Sequence, residues 1–346
     1  MIEALPLWAL AAVFAVGAAT VWAAGTRLAG YATAIAERTG LSGAVIGVVL
    51  LGLITSLPEV ATAGTAALGG NADLAVNNLL GGVAFQIMVI AAADMALRRR
   101  AITSTLPTPA VMLQAVLCIA ILTVALAGTI VGDTAVLGIG LWSGGLVILY
   151  VLGMLLLHRA GSDRSWVPPP GRFSKTREAG AEAGPAQAIG NGALALRTGA
   201  AALAILAAGY VLTRTAEAIA VETGVGSQMI GLVLLAFATS LPELSSAIAA
   251  VRLRQPGMAM GDVFGGNITD VALIALVDAF YGGPPVLNSV NAFSSLAALL
   301  GILLTAIYLV GMLRRQDRQV GRLGYDSIAV IATYAAGLAL LWSVAA

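Results

Sequence analysis

The sequence predicts an all-α polytopic membrane protein: ten transmembrane helices in two five-helix repeats of inverted topology, with helices 2 and 7 broken. Three observations predict it. Hydrophobic residues make up 59% of the 346-residue chain and charged residues only 10%, against roughly 25% charged in a soluble domain. Apolar stretches recur at the length of about 20 residues that a bilayer span requires. A fifteen-residue segment in the first half returns in the second, and each half contains an odd number of spans.

The spans are expected near 6–24, 43–67, 74–95, 107–128 and 133–157, then 193–213, 226–250, 258–280, 288–312 and 326–344. The first carries no Lys or Arg before Arg27, so it lacks the basic start of a cleaved signal peptide and reads as a membrane span. Between the two sets lies a polar stretch with Pro168, Pro169, Pro170 and the mixed-charge run 172–178. It reads as a flexible linker. The organisation expected is a first membrane repeat over 1–157, a linker over 158–190 and a second repeat over 191–346.

Orientation follows from Lys and Arg, which concentrate on the cytoplasmic side of membrane proteins. Arg27 and Arg38 follow span 1, Arg98–Arg100 follow span 3, and Arg159, Arg164, Arg172, Lys175, Arg177 and Arg197 lie between spans 5 and 6. Arg252 and Arg254 follow span 7, and Arg314, Arg315, Arg318 and Arg322 follow span 9. With ten spans all of these share one side, and only Arg214 falls on the other. That side is expected to be cytoplasmic, with the linker there and both termini extracytoplasmic.

The repeat is explicit. Residues 46–60 read IGVVLLGLITSLPEV and residues 230–244 read IGLVLLAFATSLPEL, identical at ten of fifteen positions with an offset of 184. The same offset aligns NNLLGGVAFQ at 77–86 with GDVFGGNITD at 261–270. Because five is odd, equivalent spans cross in opposite directions. Inverted repeats of this kind are a common transporter architecture.

The chemistry concentrates in these segments. Glu59 and Glu243 each follow a proline deep in apolar sequence, and ionisable groups inside a span are costly and usually functional. Pro58 and Pro242 cannot donate a helical hydrogen bond, so the helix is expected to break beside them. Carbonyls of residues such as Thr55 and Thr239 are then free to face a cation, which is tolerated where backbone lines a protein-enclosed cavity. The hydroxyls of Thr55, Ser56, Thr239 and Ser240 add neutral oxygens. Asp270 in span 8, beside Gly265, Gly266 and Asn267, corresponds to Gln86 in span 3, beside Gly81 and Gly82. The glycines permit close helix approach, which can bring spans 2, 3, 7 and 8 to one midplane point. Asn78 and Asp262 also correspond, and either line an access path or hydrogen-bond a broken helix; Asn77 is ambiguous.

Oxygen donors of this kind suit hard cations such as calcium. The single histidine, His158, falls near the linker and the single cysteine, Cys118, in an apolar run, so zinc or copper chemistry is disfavoured. No G-x-x-x-x-G-K-[ST] pattern occurs, so ATP-driven pumping by this chain is unsupported. A net charge of +1 gives no reason to expect nucleic acid. Cofactors are not expected, and protein partners are left open.

At these residues the chain resembles the sodium/calcium exchanger branch of the calcium/cation antiporter superfamily, across both halves. Its T-S-x-P-E element is present at 55–59 and 239–243. The resemblance implies a secondary transporter rather than an enzyme, in a bacterial cytoplasmic (inner) membrane. It implies ion ligation by Glu59 and Glu243, assisted by Thr55, Ser56, Thr239 and Ser240. The family's second element, G-N-x-x-G-S-N-x-x-[ND], maps its last ligand onto Gln86 and Asp270. The chain departs from that element at Asn77, Gly82, Val83 and Gln86, and at Asp262 and Gly266. The function implied is exchange of calcium for sodium by alternating access. Calcium/proton or sodium/proton antiport are the alternatives, followed by a channel or a non-transporting structural or sensory membrane protein.

Overall fold

A computed structural model describes residues 5–39, 56–97, 101–104, 109–136, 138–162, 189–252 and 256–345. The first half contains α1 (Leu7–Thr39), α2 (Leu57–Leu68), α3 (Ala72–Leu97), α4 (Pro109–Val131) and α5 (Leu141–Ser162). The second contains α6 (Asn191–Thr223), α7 (Ser227–Thr239), α8 (Leu241–Arg252), α9 (Pro256–Ala272), α10 (Ile274–Phe280), α11 (Ala292–Arg314) and α12 (Tyr325–Ala345). Among the described residues eight segments are long and apolar enough to cross a membrane, or nine when α7 and α8 count as one broken span. Span 2 contributes α2; its first part, with Thr55, lies outside the described residues, as do the arginines 98–100 and the linker core 163–188.

Burial sorts the helices into layers. The α3 span is 89% buried and α9–α10 61%, whereas α1, α5, α6 and α12 are only 11–28% buried. A helix apolar on all sides belongs in the interior or against lipid, and α3 and α9 take the interior. Helices α1 and α6 lie against each other, α2 packs on α6, and α8 packs on α1. The C-terminal end of α1 meets the start of α6: Arg38 Nη1 donates to Asn191 Oδ1 at 2.6 Å and Nη2 to the Ile189 carbonyl at 2.7 Å. The two therefore run antiparallel, as inverted halves demand.

The same symmetry extends beyond the recognisable repeat. The hairpin β1 (Ala135–Val136) with β2 (Ile139–Gly140) precedes α5, and β3 (Gln319–Val320) with β4 (Leu323–Gly324) precedes α12. Their strands correspond at the offset of 184. Each hairpin is held by a buried aspartate of the opposite half. Asp94 on α3 accepts from the Gly324 amide at 2.7 Å, the Ser327 hydroxyl at 2.7 Å and the Ile102 amide at 2.7 Å. Its counterpart Asp278 on α10 accepts from the amides of Gly140 and Val286, both at 2.5 Å. The bonds to Gly324 and Gly140 satisfy backbone donors at the junctions of hairpin and helix, where a buried amide needs a partner, and they tie the two halves together.

Three span boundaries differ from expectation. Helices α1 and α6 have 33 residues each, much longer than spans 1 and 6. Charged residues end the apolar signal, but backbone hydrogen bonding continues through them. At 1.5 Å per residue each is about 50 Å long, beyond the roughly 30 Å hydrocarbon core, so each projects or tilts. Span 5 starts at Leu141 rather than at residue 133, because the first hairpin occupies the intervening positions.

Candidate functional site

The break in the second half is a 46° bend between α7 and α8. It falls at Ser240, with φ −84° and ψ 8°. Ser56, its counterpart before α2, has φ −78° and ψ 11°. Ser56 and Ser240 thus share one backbone geometry. Each proline is the second residue of the helix that follows, where a missing N–H costs nothing because that group is unpaired anyway. The break therefore precedes the proline by two residues. The glutamate comes next, in the first helical turn, where the helix dipole favours a carboxylate.

All seven described candidates are buried: Ser56, Glu59, Gln86, Thr239, Ser240, Glu243 and Asp270. Asp270 connects them. Its Oδ1 accepts from Ser56 Oγ at 3.2 Å and its Oδ2 from Gln86 Nε2 at 2.8 Å. Gln86 and Asp270 occupy equivalent positions in the two halves, so their contact lies across the pseudo-twofold. Ser56 occupies the helix-capping position of α2, yet its hydroxyl caps nothing and turns to Asp270 instead. Glu59 lies within electrostatic reach of Glu243 and Asp270, with Thr239 beside it, and Glu243 within reach of Asp262 and Asp270.

Among the described residues several oxygens here have no hydrogen-bond partner: both of Glu59, Glu243 Oε2, Gln86 Oε1, Ser240 Oγ and Asn267 Oδ1. Buried polar atoms are nearly always paired, so a pocket of unpaired acceptors is suited to a cation. The three carboxylates are not a ready-made cage, however. Among the described residues no group of three acidic, His or Cys side chains converges tightly enough to hold a metal by itself. Asp270 is held by Ser56 and Gln86, so neutral oxygens share the site with the carboxylates.

The altered glycine positions fit the longer glutamine. A side chain at Gly266 would place its first carbon 3.1 Å from Gln86 Oε1. Gln86 extends into the space that a serine there would use. At Gly82 the first carbon would lie 3.8 Å from Asp270 Oδ2, in ordinary contact.

Asn78 and Asp262 brace the broken helices. Asn78 Nδ2 donates to Thr62 Oγ1 at 2.9 Å, and Ser246 Oγ donates to Asp262 Oδ2 at 2.7 Å. Thr62 and Ser246 correspond at the offset of 184. Their hydroxyls also reach the carbonyls of Pro58 at 2.9 Å and Glu243 at 3.0 Å. Each brace therefore fixes the turn that carries a glutamate. Thr62 and Ser246 were not foreseen, although their repeat spacing was available as a signal. Asn77 bonds away from the site, to Ser294 Oγ at 2.9 Å and the Asp73 carbonyl at 2.9 Å.

Close backbone packing positions α7. Over Ile230–Leu235 its hydrogen bonds widen into π-helical form, a distortion that recurs at functional sites. A Cβ on Gly81 would lie 2.2 Å from the Leu232 carbonyl oxygen, and one on Gly231 would lie 2.7 Å from that of Leu74. Only glycine allows α3 and α7 to approach this closely.

The sodium/calcium exchanger protein family model matches residues 9–158 and 194–343, both halves of the chain. The chain belongs to the sodium/calcium exchanger family. Members are secondary transporters, not enzymes. Among relatives, a putative antiporter CaxA from Alkalimonas amylolytica is 28% identical over 306 residues, 87% of this chain and 90% of its own. The inner membrane protein YrbG of Escherichia coli (strain K12) is 28% identical over 76% of this chain and 77% of its own. The fold is shared with two solved structures. The sodium-calcium exchanger NCX_Mj has a TM-score of 0.59 at 19% identity, covering 96% of this chain and 99% of that one. The H+/Ca2+ exchanger CAX has a TM-score of 0.62 at 15% identity, covering 97% and 86%.

Proposed function

We propose that this exchanger-family protein carries calcium across the bacterial inner membrane in exchange for sodium, by alternating access. Glu59, Glu243, Asp270, Gln86, Ser56, Ser240, Thr239 and Thr55 supply the ion ligands. The observation that carries the reading is Glu59: it is fully buried, and among the described residues neither carboxylate oxygen has a hydrogen-bond partner. A buried unpaired carboxylate is very unfavourable; it needs a cation or a proton. Glu243 offers a second unpaired oxygen, while Gln86 and Ser240 offer neutral ones. Calcium accepts six to eight oxygens in flexible geometry, so a mixed set is suitable. The antiporter name of CaxA supports exchange over a channel.

Protons are the second reading for the counter-ion. Gly82 and Gly266 stand where the resembled element carries serines, which removes hydroxyls that could flank sodium. Neighbouring carboxylates cannot all remain ionised without a cation, so the cation-free site takes up a proton that arriving calcium displaces.

Glu59→Gln and Glu243→Gln test the site. A charge-assisted contact contributes about 1.5–3 kcal/mol, so each variant is expected to lower cation flux roughly 10- to 100-fold while the protein still inserts. Wild-type flux from either variant would remove that residue from the site.

A further inference from the structure

Helices α1 and α6 leave a groove between them on the lipid-facing side. It consists of two adjoining hollows of about 500 and 620 Å³ that share Val16 and Thr20. The first is lined by alanine, valine and glycine, with Thr20 its one hydroxyl. The second ends among Arg27, Arg197 and Tyr31. Gly17 abuts Leu212, and Arg38 bonds Asn191. The antiparallel pairing fixed by those two points sets Arg197 about one and a half turns from Arg27 along the helix pair, and both line the second hollow.

Both guanidinium groups are exposed, and among the described residues neither is paired with a carboxylate. Arg27 spends one nitrogen on the Ala23 carbonyl. Two like charges lining one hollow repel unless an anion lies between them. Leu7 and Arg27 are twenty residues apart, about 30 Å of helix, which matches the hydrocarbon thickness. With Trp8 exposed at the opposite end of α1, where interfacial aromatics anchor, the arginines fall at headgroup level.

We propose that this groove is a site for an anionic phospholipid, its phosphate held by Arg27 and Arg197 and an acyl chain lying along the apolar hollow. Basic pockets between membrane helices bind acidic headgroups in this way, and guanidinium is suited to phosphate. The occupied groove abuts the helices that carry the cation site. Gly25 of α1 lies against Pro242, and Gly209 of α6 against Ala61. The lipid therefore acts on the helix pair that flanks both breaks.

The test uses the purified full chain in mild detergent, titrated with phosphatidylglycerol or phosphatidylcholine of identical acyl chains. Retained lipid is counted by native mass spectrometry. Wild type is expected to retain phosphatidylglycerol at least fivefold over phosphatidylcholine. The double variant Arg27→Gln/Arg197→Gln is expected to lose that preference, and Arg314→Gln/Arg322→Gln, which removes equal charge elsewhere, to keep it. Equal retention of the two lipids by wild type overturns the proposal even if the variants fail to fold. So does an unchanged preference in the Arg27/Arg197 variant, or displacement of the lipid by millimolar inorganic phosphate.

Discussion

Gly81 and Gly82 are adjacent on α3 yet meet opposite surroundings, so one methyl group tests how α3 and α7 are packed. In Gly81→Ala the new carbon would lie 2.2 Å from the Leu232 carbonyl oxygen and 2.6 Å from its Cα, whereas ordinary contact begins near 3.4 Å. The obstacle is backbone on both sides, so no side chain can rotate away and the helices must separate by more than 1 Å. Overpacking costs about 1–3 kcal/mol, and a backbone obstacle places this case at the upper end. For a chain of this length about 3 kcal/mol corresponds to a melting temperature lower by roughly 4 °C. In Gly82→Ala the nearest atom is Asp270 Oδ2 at 3.8 Å, and the expected change is within about 0.5 kcal/mol. Melting of the two purified variants in detergent decides it. Equal melting temperatures would refute the close α3–α7 packing and the glycine requirement drawn from it.

Two further outcomes follow from the fold. Asp94→Ala removes the acceptor of the Gly324 amide, and Asp278→Ala that of the Gly140 and Val286 amides; at about 1–3 kcal/mol for each unsatisfied buried donor, each variant melts well below wild type. The two clusters share no partner, so their effects should add in the double variant; strong non-additivity in the melting series would contradict independent clamps. For topology, tags at both termini should report the extracytoplasmic side and a tag within 165–185 the cytoplasm, read by compartment-specific labelling. A linker found outside would reverse the orientation and leave the repeat intact.

The site was legible where chemistry forced it. A proline-glutamate pair in an apolar run has few structural explanations, and its recurrence at one offset pointed to both glutamates and to the break that the structure shows at Ser240. The same offset paired Gln86 with Asp270, and the structure joins them directly. The lengths of α1 and α6 were not legible, because hydropathy stops at Arg27 and Arg214 while a helix needs only its backbone bonds. The hairpins have two-residue strands, too short to show alternation. Asp94 and Asp278 went unnoticed although they also correspond at the offset of 184; they lie outside both motif segments, and their role depends on donors from the opposite half. The π-helical segment of α7 had no sequence cue beyond Gly231, because IGLVLL suits any buried helix.

The central claim is that the Glu59, Glu243 and Asp270 site exchanges calcium for a second cation. The most direct measurement reconstitutes the protein in vesicles loaded with calcium buffer and imposes a sodium gradient or a pH gradient separately, with membrane voltage clamped. Calcium uptake should follow the outward sodium gradient and vanish without a counter-gradient; uptake driven by the pH gradient alone would instead assign protons as the counter-ion. Calcium movement driven by neither gradient would contradict the account and bring sodium/proton antiport to the front.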